Sequence, residues 1–430
     1  MLDIKYIRDN VEAVRAAVKN KKANVDVDRL LALDEQRRHL MEATENLRAE
    51  QNKGSKGPKT PEEIEVLKGL KEKFKTSEGE LDIVQKEFEA LMLAVPNVPT
   101  ADTPVGTDES QNVVIRTVGA VPKFNFQPKE HWELGAALDI IDTERAAKVS
   151  GARFAYLKGG LAMMEFALIQ FGLSVLTNEK ILKKIIKKAG LNIPATPFIP
   201  VIPPVFIKPD VFQKMGRLEP KEERYYIPAD DAYLIGSAEH TLGSMHMDES
   251  LDVAQLPLRY VGFSTAFRRE AGSYGKDMKG ILRVHQFDKL EMESFTVPED
   301  SLKEQDFILA IQEFLLQELK LPYQVVAICT GDMGGPDARQ IDIETWLPGQ
   351  NRYRETHTSD LMTDYQSRRL GIRTKRDGKS EFVHMNDATA FAGRSMIAIL
   401  ENYQREDGSV EIPKVLRVYM GGMKEIKAKK

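Results

Sequence analysis

The sequence predicts an α+β fold, with a helical N-terminal part and a larger part built on an antiparallel sheet. Residues 1 to about 95 are rich in Lys, Glu, Leu and Ala and carry apolar residues at heptad spacing. From about residue 111, short runs of β-branched and aromatic residues alternate with charged ones, and turn residues separate them. Only a few helices are predicted between these runs, and ATAFAGRSMIAILENYQ (388–404) is one of them. An antiparallel sheet is therefore favoured over a doubly wound parallel sheet.

An antiparallel helical hairpin is predicted over about residues 30–95. Two apolar series alternate in steps of three and four, the pattern of a left-handed coiled coil. They are Leu67, Phe74, Leu81 and Phe88, and Leu70, Ser77, Val84 and Leu91. The glycines and prolines of KGSKGPKTP (53–61) predict the turn, and AVPNVPTADTP (94–104) ends the second helix. Because that helix would be about 48 Å long, we expect the hairpin to project.

The hairpin has two interpretations from composition alone. It can be a dimerisation coil or spacer, or it can be an arm that grips a ligand. Its tip carries Lys53, Lys56 and Lys59 with no acid before Glu62. Lysines at such a tip can contact phosphates, so both interpretations stay open at this point.

Composition limits the function classes. The formal charge of −4 over 430 residues argues against non-specific nucleic-acid binding through bulk charge. A single cysteine, Cys329, excludes an intramolecular disulfide and fits a reducing compartment. The chain has no 18-residue apolar run, so we expect a cytoplasmic protein without a membrane segment. It has no CxxC or HExxH metal motif, no GxxxxGK[ST] phosphate loop and no GxSxG nucleophile elbow.

Charged residues inside the β-patterned segments are the candidates for chemistry. Any one of them alone fits the solvent face of a strand. The set is Glu239, Arg268, Glu270, Arg283, Glu291, Asp342, Glu344, Glu355 and Arg394. If Arg268 opens a hairpin and Arg283 returns on it, the two guanidinium groups could converge on a polyphosphate. On a continuous strand, Arg268 and Glu270 would share a face. The carboxylates could hold Mg²⁺ or an ammonium group, so an amino acid with ATP–Mg²⁺ is one ligand that fits.

The segment FRREAGSYGKDMKGILRVHQFDKLE (267–291) resembles motif 2 of the class II aminoacyl-tRNA synthetases, in the version found in seryl-tRNA synthetases. The resemblance extends to CTGDMG, DIETWLPGQ, ILENYQREDGSVEIPKVLRVYMGG and the start MLDIKYIRDNVEAV, and so covers nearly the whole chain. It implies a tRNA-binding domain over residues 1–110, with the hairpin, and a class II catalytic domain over 111–430. Motifs 1, 2 and 3 would lie at about 181–207, 258–292 and 383–404.

The resemblance implies two reactions. Serine and ATP give seryl-adenylate and pyrophosphate, and the seryl group is then transferred to the terminal adenosine of tRNA(Ser). The family suggests tRNA(Sec) as a further substrate. It also implies a homodimer, use of Mg²⁺, and a coiled-coil arm that clasps the tRNA with Lys53, Lys56 and Lys59 at its tip.

Matching the family's motifs implies an ATP site. Its residues would be Arg268, Arg269, Glu270, Arg283, Val284, Phe287, Glu355, Thr356, His357, Thr358 and Arg394. Arg268 and Arg394 would be the catalytic residues, on the α- and γ-phosphates respectively. Phe287 would stack on adenine, Glu270 would meet the adenine amino group, and Glu355 would bind the metal. Because the serine carboxylate is itself the nucleophile, the activation step needs no protein general base.

The resemblance also implies a serine site made of Ser237, Ala238, Glu239, Arg268, Glu291 and Thr389. Glu291 would accept a hydrogen bond from the substrate hydroxyl, and a site built on such bonds rejects alanine. The run NDATAFAGR is one residue shorter than the family's usual NGSGLAVGR. Matching from the preceding VH places Thr389 at the hydroxyl position, whereas matching backwards from Arg394 places Ala388 there. Thr389 is favoured because binding needs a hydroxyl.

One further departure from the family's pattern bears on function. The family's SSCSN is THTSD here, from Thr356 to Asp360, and backbone contacts to ATP would survive that change. An alternative to the enzyme is a synthetase-like binding protein that has lost activity. Such relatives typically lose motif arginines or serine-site acids, and this chain retains Arg268, Arg394 and Glu291.

Overall fold

The computed structural model describes residues 1–54, 60–271 and 279–428. They form two compact units, Met1–Val98 and Pro99–Lys430. Within the described residues, no single helix is long and apolar enough to span a membrane. The helices Gly160–Leu176 and Glu179–Ala189 meet that criterion only when taken together, and they are bent by 76°.

The first unit is helical, and its long hairpin confirms the predicted coiled coil. Its helices are α1 (Ile4–Asp9), α2 (Val11–Asn20), α3 (Val27–Gly54) and α4 (Pro61–Ala94). The residues of both predicted heptad series on α4 are buried or half-buried, while the positions between them are mostly exposed. Across the seam, the hydroxyls of Thr44 and Ser77 are hydrogen-bonded at 2.7 Å.

The second helix of the hairpin starts with a capping box. The Thr60 hydroxyl accepts from the Glu63 N–H, and the Glu63 carboxylate accepts from the Thr60 N–H. Pro61 occupies the first helical position, where its missing N–H costs no hydrogen bond. At the tip, Lys53 lies exposed in the last turn of α3, whereas Lys56 and Lys59 lie outside the described residues.

The second unit combines a large sheet with helices on one face. Its helices are α5 (His131–Ala137), α6 (Thr143–Ser150), α7 (Gly160–Leu176), α8 (Glu179–Ala189), α9 (Pro209–Met215), α10 (Glu239–Leu242), α11 (Ser301–Glu318), α12 (Tyr365–Leu370) and α13 (Gly393–Asn402). Its strands are β1 (Val113–Val118), β2 (Ile141–Asp142), β3 (Tyr156–Leu157), β4 (Ile199–Val201), β5 (Phe206–Ile207), β6 (Tyr225–Ile227), β7 (Ala232–Leu234), β8 (Ser250–Leu251), β9 (Leu258–Phe267), β10 (Gln286–Thr296), β11 (Tyr323–Ala327), β12 (Arg339–Leu347), β13 (Arg352–Thr363), β14 (Arg373–Arg376), β15 (Lys379–Phe382), β16 (His384–Ala392), β17 (Val410–Glu411) and β18 (Glu425–Ile426).

The main sheet has eight strands in the order β1-β11-β12-β13-β16-β10-β9-β4. Its neighbours pair antiparallel, except that β4 runs parallel to β9 at the edge. The α+β prediction is therefore confirmed. Apolar side chains of α7, α11 and α13 cover one face in a single core cluster, and this leaves the other face for polar side chains.

One local prediction was wrong, and the condition of another was not met. The segment Ala388–Gln404, which the pattern predicts to be one helix, is strand as far as Ala392 and becomes helix only at Gly393. Strand β9 ends at Phe267, and Glu270 has a φ of +51°. Strand alternation therefore does not apply to Arg268 and Glu270. In both places β-sheet pairing, which a local pattern does not contain, decides where the element ends.

Candidate active site

One cleft in the second unit collects most of the charged residues singled out from the sequence. Its cavity volume is about 210 Å³. Its floor is formed by the central strands β10, β13 and β16. Alternation along β10 separates the two faces: Phe287, Lys289 and Glu291 line the cleft, whereas Leu290 and Met292 are fully buried in the core.

At one end of the cleft, Arg268 lies beside an aromatic ring. Its guanidinium carbon is 5.4 Å from the centre of the Phe287 ring, and its Nε donates to the carbonyl of Gly236 at 3.1 Å. Phe287 pairs with Ala266 on the neighbouring strand β9, and Arg268 lies just after the end of that strand, where its N–H donates to the carbonyl of His285. A planar ligand on Phe287 would therefore have a cation beside it.

Arg283 and Glu270 face each other in the connection between strands β9 and β10. Arg283 Nη1 lies 3.4 Å from Glu270 Oε2, and both side chains line the cleft. The carbonyl of Glu270 also accepts from Arg153 Nη1 at 2.9 Å. The cation Arg283 and the anion Glu270 therefore form an ion pair across the β9–β10 connection. They do not share one face of a strand.

A second ion pair lies where β13 approaches the start of α13. Arg394 Nη1 is 3.0 Å from Glu355 Oε1 and donates to the Glu355 carbonyl at 3.1 Å. Arg394 lowers the pKa of the Glu355 carboxyl. Burial and repulsion from Glu355 raise the pKa of the neighbouring Asp342 well above its usual range. Two carboxyls and one arginine thus lie close together, and the acids would gain from a further cation.

The inner end of the cleft is acidic. One carboxylate oxygen from each of Glu239, Glu291 and Asp387 lies within 4.8 Å of the others, and all three residues are buried. Lys289 Nζ lies 2.7 Å from Glu291 Oε2 and donates to the Ser237 hydroxyl at 3.1 Å. Burial, only partly offset by Lys289, raises the pKa of Glu291 to about 7.

The strand register separates the two candidates for the hydroxyl position. Thr389 pairs with Glu291 across β16 and β10, and it lines the cleft. Ala388 pairs with Met292 and is fully buried in the hydrophobic core. The extra residue in β16 that produces this register is Ala390, which forms a β-bulge. Only Thr389 therefore presents its side chain to the cleft; that it binds serine stays a prediction.

Some predicted site residues do not line the cleft. Arg269 is exposed and stacks on the Tyr225 ring at 5.6 Å. His357 is buried, with its ring nitrogens bonded to Thr356 and to the carbonyl of Ala390, and burial lowers its pKa to about 4. Ala238 is buried in a smaller apolar cluster. The other residues predicted for the ATP and serine sites lie in the cleft, except Ser237, whose hydroxyl accepts from Lys289. The candidates Asp342 and Glu344 line a neighbouring pocket.

Four charged residues in the cleft were missed by sequence reasoning. They are Arg217, Lys289, Asp360 and Asp387. Lys289 stands inside the quoted motif 2 segment, two residues before Glu291, and its alternation with Phe287 and Glu291 could have identified it. Arg217 follows α9 in a stretch without any motif, so no local signal indicates it.

Comparison with models of known families identifies the class of protein. Residues 224–403 match the family described as tRNA synthetase class II core domain (G, H, P, S and T), and residues 1–99 match the seryl-tRNA synthetase N-terminal domain. The eight-stranded sheet and the arginine-lined cleft are thus those of a class II aminoacyl-tRNA synthetase.

Similarity to full-length relatives identifies the family within this class. The chain is 40% identical over 438 residues to a serine–tRNA ligase of Citrifermentans bemidjiense, covering 99% of this chain and all of that protein. The crystal structure of seryl-tRNA synthetase from Pyrococcus horikoshii complexed with ATP has a TM-score of 0.89 and 38% identity over the full length of both chains. The cytoplasmic serine–tRNA ligase of Naegleria fowleri in complex with AMP has a TM-score of 0.85 and 31% identity, over 100% of this chain and 99% of that one. The chain belongs to the seryl-tRNA synthetase family.

Proposed function

We propose that this protein is a serine–tRNA ligase. A serine carboxylate oxygen attacks the α-phosphorus of ATP, which forms seryl-adenylate as pyrophosphate leaves. A ribose hydroxyl of the 3′-terminal adenosine of tRNA(Ser) then attacks the seryl carbonyl carbon, and AMP leaves. The observation that carries the proposal is a single cleft that contains both kinds of charge. Arg268, Arg283 and Arg394 line it and can bind phosphates. Its three buried acids, Glu239, Glu291 and Asp387, can bind the ammonium and hydroxyl groups of an amino acid.

The ATP site comprises Arg268, Glu270, Arg283, Phe287 and Arg394. Arg268 contacts the α-phosphate, where charge increases in the transition state, and a fixed cation in a partly desolvated cleft stabilises that charge. The ring of Phe287, 5.4 Å from Arg268, stacks on adenine. Arg394 binds the γ-phosphate and then exchanges its present partner Glu355 for the nucleotide.

The remaining residues expected to contact ATP differ in whether they line the cleft. Val284, Thr356 and Thr358 line the cleft, where their backbone groups can meet the nucleotide. Arg269 and His357 are directed elsewhere, so a role for them is limited to shaping the neighbouring residues.

Mg²⁺ fits the donors around Glu355. Carboxylate and hydroxyl oxygens are the hard ligands that Mg²⁺ prefers, together with substrate phosphates. Glu355, Thr358 and Asp342 provide such oxygens and would hold the ion. Burial and repulsion from Glu355 raise the pKa of Asp342, so a bound cation would favour its ionised form. When bound, it would neutralise charge on the β- and γ-phosphates.

The serine site comprises Glu239, Glu291 and Thr389, with Arg268 on the carboxylate and Ser237 and Ala238 shaping the wall. Glu239 is ionised and receives the ammonium group. Glu291 and Thr389, paired across two strands, bind the hydroxyl. An alanine substrate would leave these buried groups without its hydroxyl partner, which disfavours alanine.

The tRNA is bound by the helical part, residues 1–110, while residues 111–430 form the catalytic domain. The exposed Lys53 and its neighbours Lys56 and Lys59 contact tRNA phosphates. By family likeness, tRNA(Sec) is a second substrate. A homodimer forms through motif 1 (181–207); the exposed Ile199 and Ile202, 47% and 86% accessible on and beside the edge strand β4, support this contact.

The test is amino-acid-dependent ATP–pyrophosphate exchange, run with serine, threonine, alanine and glycine in the absence of tRNA. Exchange with serine alone, which is lost in Arg268→Ala, is the expected result. Charging of tRNA(Ser) and tRNA(Sec) transcripts then tests the second step. A folded protein that binds ATP and exchanges with none of the four amino acids would refute the proposal.

A further inference from the structure

Arg217 occupies the inner end of the cleft although it belongs to no motif. It comes directly after α9 and Gly216, whose φ of +73° turns the chain into the cleft. It lies outside the segment that matches the class II core, residues 224–403. Its side chain is only 14% exposed, so an uncompensated guanidinium here would be costly.

Four carboxyl groups surround this guanidinium. Its Nε lies 3.0 Å from Glu239 Oε1, and its Nη2 lies 3.0 Å from Asp337, 3.2 Å from Asp360 and 3.4 Å from Asp387. These five residues are called the Arg217 cluster below. The acids come from α10, from the loop before β12, and from strands β13 and β16. One side chain thus connects four separate segments of the cleft.

The acids of the Arg217 cluster are not equivalent. Asp360 and Asp387 are paired directly on neighbouring strands, where like charges repel. Burial and neighbouring acids raise the pKa of both well above the usual range, so they retain protons. Burial also opposes ionisation of Glu239, but Arg217, followed by His240, Lys289 and Arg268, more than offsets it and holds its pKa at about 2. The charge of Arg217 is therefore matched chiefly by Asp337 and Glu239.

The ion pair also constrains the position of the Glu239 carboxylate. Arg217 Nε lies 3.0 Å from Glu239 Oε1, so its charge attracts the carboxylate to a place within 4.8 Å of Glu291 and Asp387. A substrate ammonium placed among these oxygens needs one ionised acid in a fixed position. We propose that Arg217 is a positioning residue that orients Glu239 toward the amino-acid substrate and thereby sets affinity for serine. This inference rests on the proposed function, serine activation.

The experiment compares two buried arginines by steady-state ATP–pyrophosphate exchange on the full chain. Arg217→Met removes the charge with little change in volume, and Arg217→Lys keeps the charge but loses the planar fork. Arg259→Met is the matched control, because Arg259 is fully buried and holds Glu304 at 2.6 and 2.7 Å without lining the cleft.

Arg217→Met should raise the KM for serine about 30-fold or more while the KM for ATP changes less than about threefold. Arg217→Lys should raise the serine KM by about fivefold or more. Arg259→Met should lower the unfolding temperature and leave the serine KM unchanged. If Arg217→Met fails to fold, Arg217→Lys decides.

Two results would overturn the inference. One is a serine KM in the folded Arg217 variants that matches wild type, or serine and ATP KM values that rise together; Arg217 would then be structural only. The other is wild-type protein without serine-dependent exchange, which defeats the proposed function and this inference with it. The two failures are distinguishable, because the first leaves wild-type exchange intact.

Discussion

Each of the two units contains a buried charge cluster, and the two clusters have opposite compositions. In the helical unit, Asp34 is 1% exposed and lies within 3.5 Å of Arg8, Arg37 and Arg38. In the catalytic unit, Arg217 lies within 3.4 Å of four acids. The arginines around Asp34 are 20–53% exposed, so water solvates their excess charge. Asp337, Asp360 and Asp387 around Arg217 are nearly inaccessible.

This difference separates a structural ion cluster from one that serves a site. Excess cations on long side chains reach solvent at little cost. Aspartate side chains are too short to reach solvent from these buried positions. The pKa values of Asp360 and Asp387 are therefore raised, which favours their protonated forms. We infer that the catalytic unit accepts this cost because the same acids form the amino-acid end of the cleft. Substitutions in the two units and changes of pH test that contrast.

Removing a cation should abolish chemistry in one unit and do little in the other. Arg268→Ala should lower serine-dependent ATP–pyrophosphate exchange by about 1,000-fold or more, because the charge on the α-phosphate loses its fixed partner. Arg38→Ala, which removes a half-exposed arginine from Asp34, should change the free energy of unfolding by less than about 1 kcal/mol and leave exchange intact. Comparable losses of exchange in both variants would contradict the contrast.

Shortening the arm should separate the two reaction steps. Replacing residues 38–83 by a short turn removes most of the α3–α4 hairpin but leaves its base, where Leu30, Leu33 and Phe88 are buried. Exchange without tRNA should stay within about twofold of wild type, and charging of tRNA(Ser) should fall about 100-fold or more as phosphate contacts are lost. Unchanged charging would show that the arm is only a spacer.

The hydroxyl position can be tested by an isosteric change. Thr389→Val removes the hydroxyl but keeps the side-chain shape, and it should raise the KM for serine about tenfold with little change in the KM for ATP. Ala388→Ser is the matched control in the neighbouring core position. It should lower the unfolding temperature without weakening serine binding. The reverse pattern would assign the hydroxyl position to residue 388.

Serine binding should depend on pH through Glu291. Burial raises the pKa of this carboxyl to about 7, so the group gains its charge as pH rises from 6 to 8. The ionised form is the better acceptor for the serine hydroxyl. The KM for serine should therefore fall roughly tenfold over that range, measured by exchange at fixed ionic strength. Glu291→Gln should flatten the profile; an unchanged slope would point to another group.

The smallest effects have opposite signs in the two clusters. Asp34→Asn removes the negative charge that pairs with three arginines, and it should lower the free energy of unfolding by about 1–3 kcal/mol. Asp360 has a pKa raised by burial and by Asp337 and Asp387. Its native state thus keeps a proton that the unfolded chain releases, and stability is lost as pH rises from the unfolded pKa toward the folded one. Asp360→Asn removes that loss and should raise stability by about 1 kcal/mol at pH 8.

Thermal unfolding at pH 5 and pH 8 measures both effects. The gain from Asp360→Asn should be larger at pH 8 than at pH 5, because near pH 5 less of the penalty has accumulated. Destabilisation of both variants by similar amounts at both pH values would show that the two clusters behave alike and would remove the contrast.

Much of the arm could be predicted because its information is local. Heptad spacing, the capping residues Thr60 and Glu63, and the terminating prolines all act within a few residues of the chain. Motif 2 was similarly accessible, since Arg268, Arg283 and Glu291 stand close together in sequence. The strand boundary at Phe267 and the strand-to-helix change at Gly393 were not, because pairing with distant strands determines both.

The sequence by itself determined the fold class, the coiled-coil seam and the residues that resemble class II synthetase motifs. Only the tertiary structure decided that Thr389 faces the cleft while Ala388 enters the core, since the bulge at Ala390 shifts the register of β16 against β10. It alone also brought Arg217 to Glu239, Asp337, Asp360 and Asp387, residues up to 170 positions away in the chain. This is because burial and charge compensation depend on distance in space, and a cluster built from five chain segments leaves no periodic trace in any one of them.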